Sequence, residues 1–349
     1  MPGFYHLDLP TNITSMKKLL IFVALSIQTS TICSAQTISQ VSRNLAADSI
    51  KRLMLEQAAL RTPTLRQVYI STDIISKGDI ESKLYDKLLF KGKANTIRTT
   101  AIFNVPLKSW KKNAVSATFT YFHQELRVTD LQSFNAGLGN EDLKFNKGTV
   151  GLTISFQRRD SLFQRPVYYI LNASGVTDDF GALKKLSFLG TAVMPLKQSA
   201  TTRYSAGLIL NIDPSIKIPV FPLFTYWHRF KNNIEANIGL PTGINLRKEV
   251  SQRLSVTLGN TISGSLAFLN LNGPNLPNNA NYTTIDLKNG IGADYRVGKK
   301  MIFGISSGIL TPISARAFDR RKTTSDYFIS NKLSNVPYVN FSFSVLPFL

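Results

Sequence analysis

The sequence predicts an all-β fold, a transmembrane antiparallel β-barrel of about 12 strands (range 10–14) behind a short N-terminal helical segment. Three observations carry that prediction. From about residue 66 apolar and polar residues alternate with a period of two, in segments that often run about 9–11 residues, the length a tilted strand needs to cross a bilayer. The polar sides of these segments are rich in glycine and charge, where a soluble sheet facing water gains nothing from glycine. The connections are of two kinds, long and rich in Asn, Gly and Ser, or short and basic.

In chain order, residues 1–15 ("MPGFYHLDLPTNITS") do not fit in front of a secretory n-region and read as an over-extended start. Residues 16–35 read as a signal peptide. Lys17 and Lys18 form the n-region, residues 19–27 the h-region, and Cys33-Ser34-Ala35 a small-residue site that puts cleavage between Ala35 and Gln36. The run from Leu19 to Leu25 is far short of the ~18 residues of a spanning helix. Ile32 is too large for lipoprotein processing at Cys33. Cleavage after Ala35 leaves no cysteine, so disulfides, thiolate nucleophiles and cysteine-held metals are excluded from the mature chain. Residues 36–65 form an N-terminal segment, read as a short periplasmic helix or tether. Leu45, Ile50, Leu53, Met54 and Leu60 recur near helical spacing there, and Pro63 supplies the stop.

The barrel proper is expected over 66–349. The alternation is plainest in "VSATFTYFHQ" (115–124), "TVGLTISFQ" (149–157), "RYSAGLILNI" (203–212), "NIEANIGL" (233–240), "RLSVTLGN" (253–260) and "IDLKNGIGADYRV" (285–297). Weaker cases lie near 97–105, 166–175, 185–195, 219–229, 301–310 and 337–348. In a barrel the apolar faces meet lipid and the polar faces line the lumen. Gly151, Gly207, Gly239, Gly259, Gly290, Gly292, Gly304 and Gly308 then leave room among long charged neighbours. Candidate lumen residues are Arg98, Arg203, Arg253, Lys288 and Arg296, with Glu235, Asp286 and Asp294 as their ion-pair partners. Aromatics toward strand ends, such as Tyr121, Tyr168, Tyr169, Tyr226, Trp227, Tyr295 and Tyr338, suit interface girdles.

The chain carries a formal charge of +20; without residues 1–35 it keeps 39 basic and 20 acidic residues, a net of +19. An exported chain does not meet nucleic acid, and the basic residues are scattered. Anionic headgroups, anionic solutes and loop solubility remain as reasons for the charge. The mature chain has two histidines, His123 and His228, and no nucleophile-elbow, metal-binding or phosphate-loop motif. No catalytic residue, metal or cofactor is therefore assigned.

The last stretch, "VPYVNFSFSVLPFL", turns Val339, Phe341, Phe343 and Val345 to one face and Asn340, Ser342 and Ser344 to the other. It reads as the closing strand, with Phe341, Phe343 and Phe348 resembling an assembly signal, although Leu349 follows where an aromatic residue is usual. Together with the Lys-Lys signal ending "CSAQ", the stretches "LFKGKANTIRTTAIFNVPL" and "LFTYWHRFKNNIEANIGLP" resemble an uncharacterised outer-membrane β-barrel family of Bacteroidota-type bacteria. The resemblance spans about residues 60–349. It implies the bacterial outer membrane as location, with membrane lipid and the barrel-assembly machinery as partners, and it carries no known substrate. The expected function is structural, or passive passage of small solutes with a preference for anions. The alternatives are a barrel-embedded lipid hydrolase and a soluble periplasmic β-sandwich that binds a ligand.

Overall fold

The computed structural model describes residues 55–347, except 136, 180, 214, 216–218 and 272–275. The start, the signal peptide, the Ala35–Gln36 junction and Phe348 lie outside the described residues. Residues 55–61 form a helix, α1. Its sequence, LEQAALR, consists of strong helix formers. It ends before Thr62, which precedes Pro63 and is extended (φ −124°, ψ 100°) as the residue before a proline tends to be. A 3-10 turn, Pro63–Leu65, follows.

Fifteen strand segments come next: β1 (Val68–Leu84), β2 (Lys87–Trp110), β3 (Asn113–Ser133), β4 (Leu143–Leu162), β5 (Arg165–Thr177), β6 (Lys185–Gln198), β7 (Thr202–Ile212), β8 (Val220–Arg229), β9 (Ile234–Leu240), β10 (Gly243–Glu249), β11 (Leu254–Asn270), β12 (Asn279–Val297), β13 (Met301–Asp319), β14 (Tyr327–Leu333) and β15 (Val336–Val345). Each pairs antiparallel with its neighbour in sequence as far as β13. β14 and β15, parted by Ser334 and Asn335, are successive halves of one strand that pairs with β13 on one side and β1 on the other. The sheet closes as a 14-strand antiparallel ring. Closure removes both sheet edges and replaces the two-sheet sandwich alternative.

The ring holds two strands beyond the twelve segments legible in the sequence, β1 and β10. In β1 the apolar set changes face at an irregularity between Ile75 and Gly78, so no single alternation runs through it. β10 is seven residues long and carries Arg247, Lys248 and Glu249, too short and polar to stand out.

The outer surface of the lower ring, toward the short turns, is apolar. Ile74, Phe119, Leu152, Leu208, Leu258, Ile305 and Phe341 are all exposed there. Inside, Asp73, Thr96, Glu235, Asp286 and Ser344 are buried. Apolar outside and polar inside is the arrangement of a barrel whose solvent is lipid. Toward the long loops the polarity inverts along the long strands β1–β4, whereas β6 and β7 keep apolar residues outward to their loop ends at Leu186, Phe188 and Ile212. On β3, Phe119 and Tyr121 face outward, then Glu125 and Arg127; Thr118 and Thr120 face inward, then Leu126 and Val128. The outward charges pair with one another, Lys77 with Asp130 (3.0 Å) and Arg127 with Glu125 (2.7 Å). The inward residues form a core of Ile80, Phe90, Ala94, Leu126, Val128 and Leu131.

At two glycines a Cβ would press on neighbouring side chains. A Cβ on Gly78 would lie 2.2 Å from Val336 Cγ1 and 2.6 Å from Ser334 Oγ, where the broken last strand crosses β1. On Gly304 it would lie 2.7 Å from Asp294 Oδ1, inside the lumen. The ladder of β13 to the last strand covers 301–310 and 316–318, and leaves 311–315 unpaired on that side. Pro312, which has no N–H to donate, lies in that gap. The ring is also flat. A circular ring of 14 tilted strands spaced ~4.8 Å apart would be roughly 28 Å across. Yet Cα atoms of β4 and β11, seven strands apart in either direction, approach within 8 Å.

Candidate functional site

The interior at the turn end is built from charge. Glu235, on β9 and 1% exposed, accepts from Arg61 of α1 at Oε2 (2.8 Å) and Oε1 (3.0 Å). Its Oε1 also accepts from Arg229 (2.6 and 3.0 Å). Trp227 points into the same group, with the guanidinium carbons of Arg203, Arg61 and Arg229 lying 5.0, 5.3 and 5.8 Å from its ring centre. At the other end of α1, Glu56 accepts from Arg296 (3.0 Å) and Lys300 (2.7 Å). Arg66, just past the 3-10 turn, is 1% exposed. It donates to Asp294 (2.6 Å), Ser344 Oγ (2.9 Å) and the carbonyl of Ala59 (3.1 Å). Asn104 on β2 donates to the carbonyls of Thr64 (2.9 Å) and Arg66 (2.7 Å). Residues 55–66 are thus held by β2, β8, β9, β12, the β12–β13 turn and β15, and they stretch across the mouth of the ring. Ala59, Ile302 and Leu346 seal it with an apolar cluster.

The hydrogen bond to Glu235 raises the Arg61 pKa, against the opposing effect of burial. The guanidinium stays charged at any accessible pH. At the loop end burial alone would raise the Asp213 carboxyl, but Lys185 (2.8 Å) and Ser215 hold it below its ordinary value. Hydrogen bonds from the Gly181 amide and Lys184 lower Asp179 likewise.

Above the mouth lies a second charged layer. Arg98 donates to Asp286, and to Gln124 Oε1 at 2.9 Å. Lys288 donates to Asp73 (2.6 Å), which also accepts from Asn340 (2.8 Å). Tyr338 is buried beside Lys288, whose ammonium lies 5.6 Å from its ring centre. The free space beside Arg98, Gln124 and Asp286 is about 30 Å³.

Of the expected lumen residues, Arg98, Lys288, Asp286 and Glu235 lie buried or half-buried in these layers, and Arg296 and Asp294 line the mouth. Arg203 is exposed beside Trp227. Arg253 is a correction: it lies exposed in the β10–β11 turn, because β11 begins only at Leu254. Trp227 and Tyr338 are corrections of the girdle assignment. Both point inward, since they share strand parity with Arg229 and Asn340. Among the C-terminal residues, Phe341 is exposed on the outer face and Phe343 packs against Phe303 at 5.2 Å. The sequence reading missed Glu56, Arg61, Arg66, Asp73, Arg229, Arg247 and Lys300. Those on 55–66 follow no period-two pattern, and nothing local in the sequence points a tether residue into a lumen.

The histidines lie on the outer face, His123 stacked on Tyr121 and His228 on Tyr226. Their side-chain partners are Asn146 (2.6 Å) and Thr202 (2.8 Å). Among the described residues neither sits beside a serine hydroxyl with a third orienting carboxylate, and no cluster of three metal-ligating side chains occurs.

A closed antiparallel ring, an apolar outer belt, a charged interior, short turns at one end and long loops at the other define a transmembrane β-barrel of the outer-membrane type. No protein-family model matches the chain, and no curated protein matches it. Among solved structures it is similar to an outer membrane channel from Pseudomonas putida F1 (9% identity, TM-score 0.32, covering 80% of this chain and 96% of that one). It is similar also to the transport unit of the autotransporter AIDA-I from Escherichia coli (9%, 0.34, 80% and 90%). A third is the outer membrane protease OmpT from Escherichia coli (9%, 0.23, 80% and 96%). These overlaps are low, and the assignment as a membrane barrel rests on the strand faces described above.

Proposed function

We propose that this chain is a non-enzymatic barrel of the bacterial outer membrane whose lumen is closed at rest by its own residues 55–66, and which passes small solutes only when that segment moves. The observation that carries the reading is the burial of Arg66, which ties the segment to β12 through Asp294 and to β15 through Ser344. In that setting the turn end faces the periplasm. Membrane lipid surrounds the belt, and the barrel-assembly machinery inserts the chain. The finer likeness, to an uncharacterised Bacteroidota-type barrel family, is carried by sequence.

The mouth also bears on selectivity. Without 55–66, Arg296 and Lys300 lose Glu56, Asp294 loses Arg66, and Arg229 and Arg247 stay beside Glu235, so the rim keeps more cations than carboxylates. The opened mouth is then rimmed by excess positive charge and should favour anions. Planar-bilayer recording tests this. The full chain should be nearly silent, and a chain lacking residues 55–66 should conduct with anion preference. Steady conductance by the full chain, unchanged by the deletion, would overturn the closed reading; cation preference in the deletion variant would overturn the selectivity. The non-enzymatic reading predicts that the purified barrel cleaves lipid no faster than a heat-denatured control; cleavage that His123→Ala or His228→Ala abolishes would overturn it.

A further inference from the structure

Where the last strand breaks at Ser334 and Asn335, it is tied to β1. The Ser334 amide donates to the carbonyl of Asp79 (3.0 Å), and its hydroxyl accepts from the Asp79 amide (2.9 Å). The break leaves 311–315 of β13 without a ladder partner on that side. A cleft of about 320 Å³ occupies the gap, with residues 312–316 along one bank and 330–333 along the other.

The outward side chains at this cleft are mostly cationic. Ser82, Ala317 and Ile329 line the interior together with Leu126 and Val128, so their chain neighbours Lys83, Arg316 and Ser330 point outward. The register sets these three in one row across β13, β14 and β1: Arg316 pairs with Ser330, and Ser330 with Lys83. Neighbouring strands lie ~4.8 Å apart, so two long cations flank one short serine from backbones about 10 Å apart. Lys332 stands two residues along the same face, opposite Glu81. Among the described residues lining the cleft, Glu81 is the one carboxylate, and it is shared by Lys83 (3.6 Å) and Lys91 (3.5 Å). The Arg316 guanidinium lies 4.4 Å from the Tyr327 ring centre, a contact with the ring that engages none of its N–H donors. Three cations against one carboxylate leave the lining with a charge of +2.

The lipid belt begins beside this row. On β13, Ile309 and Ile313 are 45% and 57% exposed. Arg316 stands about 10 Å along the tilted strand from Ile313, the depth of the headgroup layer that bounds the hydrocarbon. A phosphate monoester carries about −1.5 to −2 at neutral pH and matches the charge of the lining, and the planar fork of an arginine suits its oxygens.

From the register, the charge and the position we propose that this cleft binds the phosphate of a membrane lipid in the loop-side leaflet. Arg316, Lys83 and Lys332 hold the phosphate over Ser330, and the acyl chains lie against Ile309 and Ile313. The site goes beyond the closed-mouth reading and shares with it only the membrane setting. Its test reads lipid retention and the closed mouth is read in conductance, so either can fail alone.

The full chain, purified in detergent and shown by heat-modifiable migration to have closed its ring, is titrated with phosphatidic acid and with phosphatidylcholine of the same acyl chains. Bound lipid per barrel is counted by native mass spectrometry. One phosphatidic acid per barrel is expected, at least tenfold tighter than phosphatidylcholine. Arg316→Gln, Lys83→Gln and Lys332→Gln together should abolish that preference. Ser330→Leu keeps every charge but fills the row between the cations; it should weaken phosphatidic acid about fivefold, and it serves if the triple variant does not close its ring. Removing as many charges at the turn end, by Lys108→Gln, Lys111→Gln and Lys112→Gln, should leave the preference intact. Equal retention of the two lipids, or a preference that survives the cleft variants, overturns the site. Equal loss in the turn-end variant overturns it too, since net charge alone would then explain binding. Displacement of phosphatidic acid by an equal concentration of inorganic phosphate would make this a site for the free anion and overturn the lipid as its occupant.

Discussion

Two regions of this barrel share the strands β1–β4 and carry opposite polarity. Toward the short turns the ring wears its apolar residues outside and packs ion pairs within; toward the loops β1–β4 wear ion pairs outside and pack leucine, valine and phenylalanine within. β3 passes from one regime to the other at Gln124 without a bulge, since its odd positions face outward on both sides of that residue. A strand fixes only which residues share a face. Which face must be apolar depends on what surrounds the strand at that height, lipid below and water above.

The comparison breaks most completely if the ring cannot close. Deleting residues 337–349 removes β15 and opens edges on both β1 and β13. Membrane insertion and heat-modifiable migration should be lost outright, and a truncated chain that still inserts would refute this account of closure. Next in size is the lower interior. Glu235→Gln leaves Arg61 and Arg229 buried or half-buried without their shared carboxylate. A cost of about 3–5 kcal/mol is expected, read from unfolding in urea. The outer face provides the direct contrast. Leu258→Arg in the apolar belt should cost about 2–4 kcal/mol. Lys91→Ala in the upper region, where the exposed ammonium pairs with Glu81 at 3.5 Å, should change stability by less than about 0.5 kcal/mol. Equal effects at the two sites would erase the distinction between the two regions.

The smallest effect is one of pH at the loop end. The folded Asp213 carboxyl lies below its ordinary value. Its contribution is therefore complete above the usual carboxylate pKa of ~4, and it disappears as pH falls through the lowered value. Amide exchange at Ser215, corrected for its intrinsic pH dependence, should quicken on acidification below that range. Asp213→Asn should show the faster exchange above that range and converge with the wild type below it.

Much of this was legible in the residues themselves. Ile291 and Tyr295 against Asp286, Lys288 and Asp294 on β12 announce a strand with two unlike faces, and the structure puts the first pair outside and the acids and lysine within. The reading of β3 stopped at Gln124 because the apolar residues change face there, and a local pattern search takes that for a strand end. Arg253 was misjudged by the same logic, since a basic residue beside an alternating segment looks like part of it.

Alternation by itself determined that the chain is a set of long amphipathic strands, and the even rhythm of "YVNFSFSV" marked the last of them. Successive side chains on an extended backbone must point to opposite sides, so this information is local and survives in sequence. Only the tertiary structure decided that the ring has 14 strands and is flattened until β4 nears β11. The same holds for Arg61 and Arg66 entering the mouth to meet Glu235 and Asp294, and for the leucines above them packing as a core. These contacts join residues 174 and 228 positions apart. They exist because closing a sheet into a ring brings remote strands to a common interior, and no period along the chain encodes which charges will meet there.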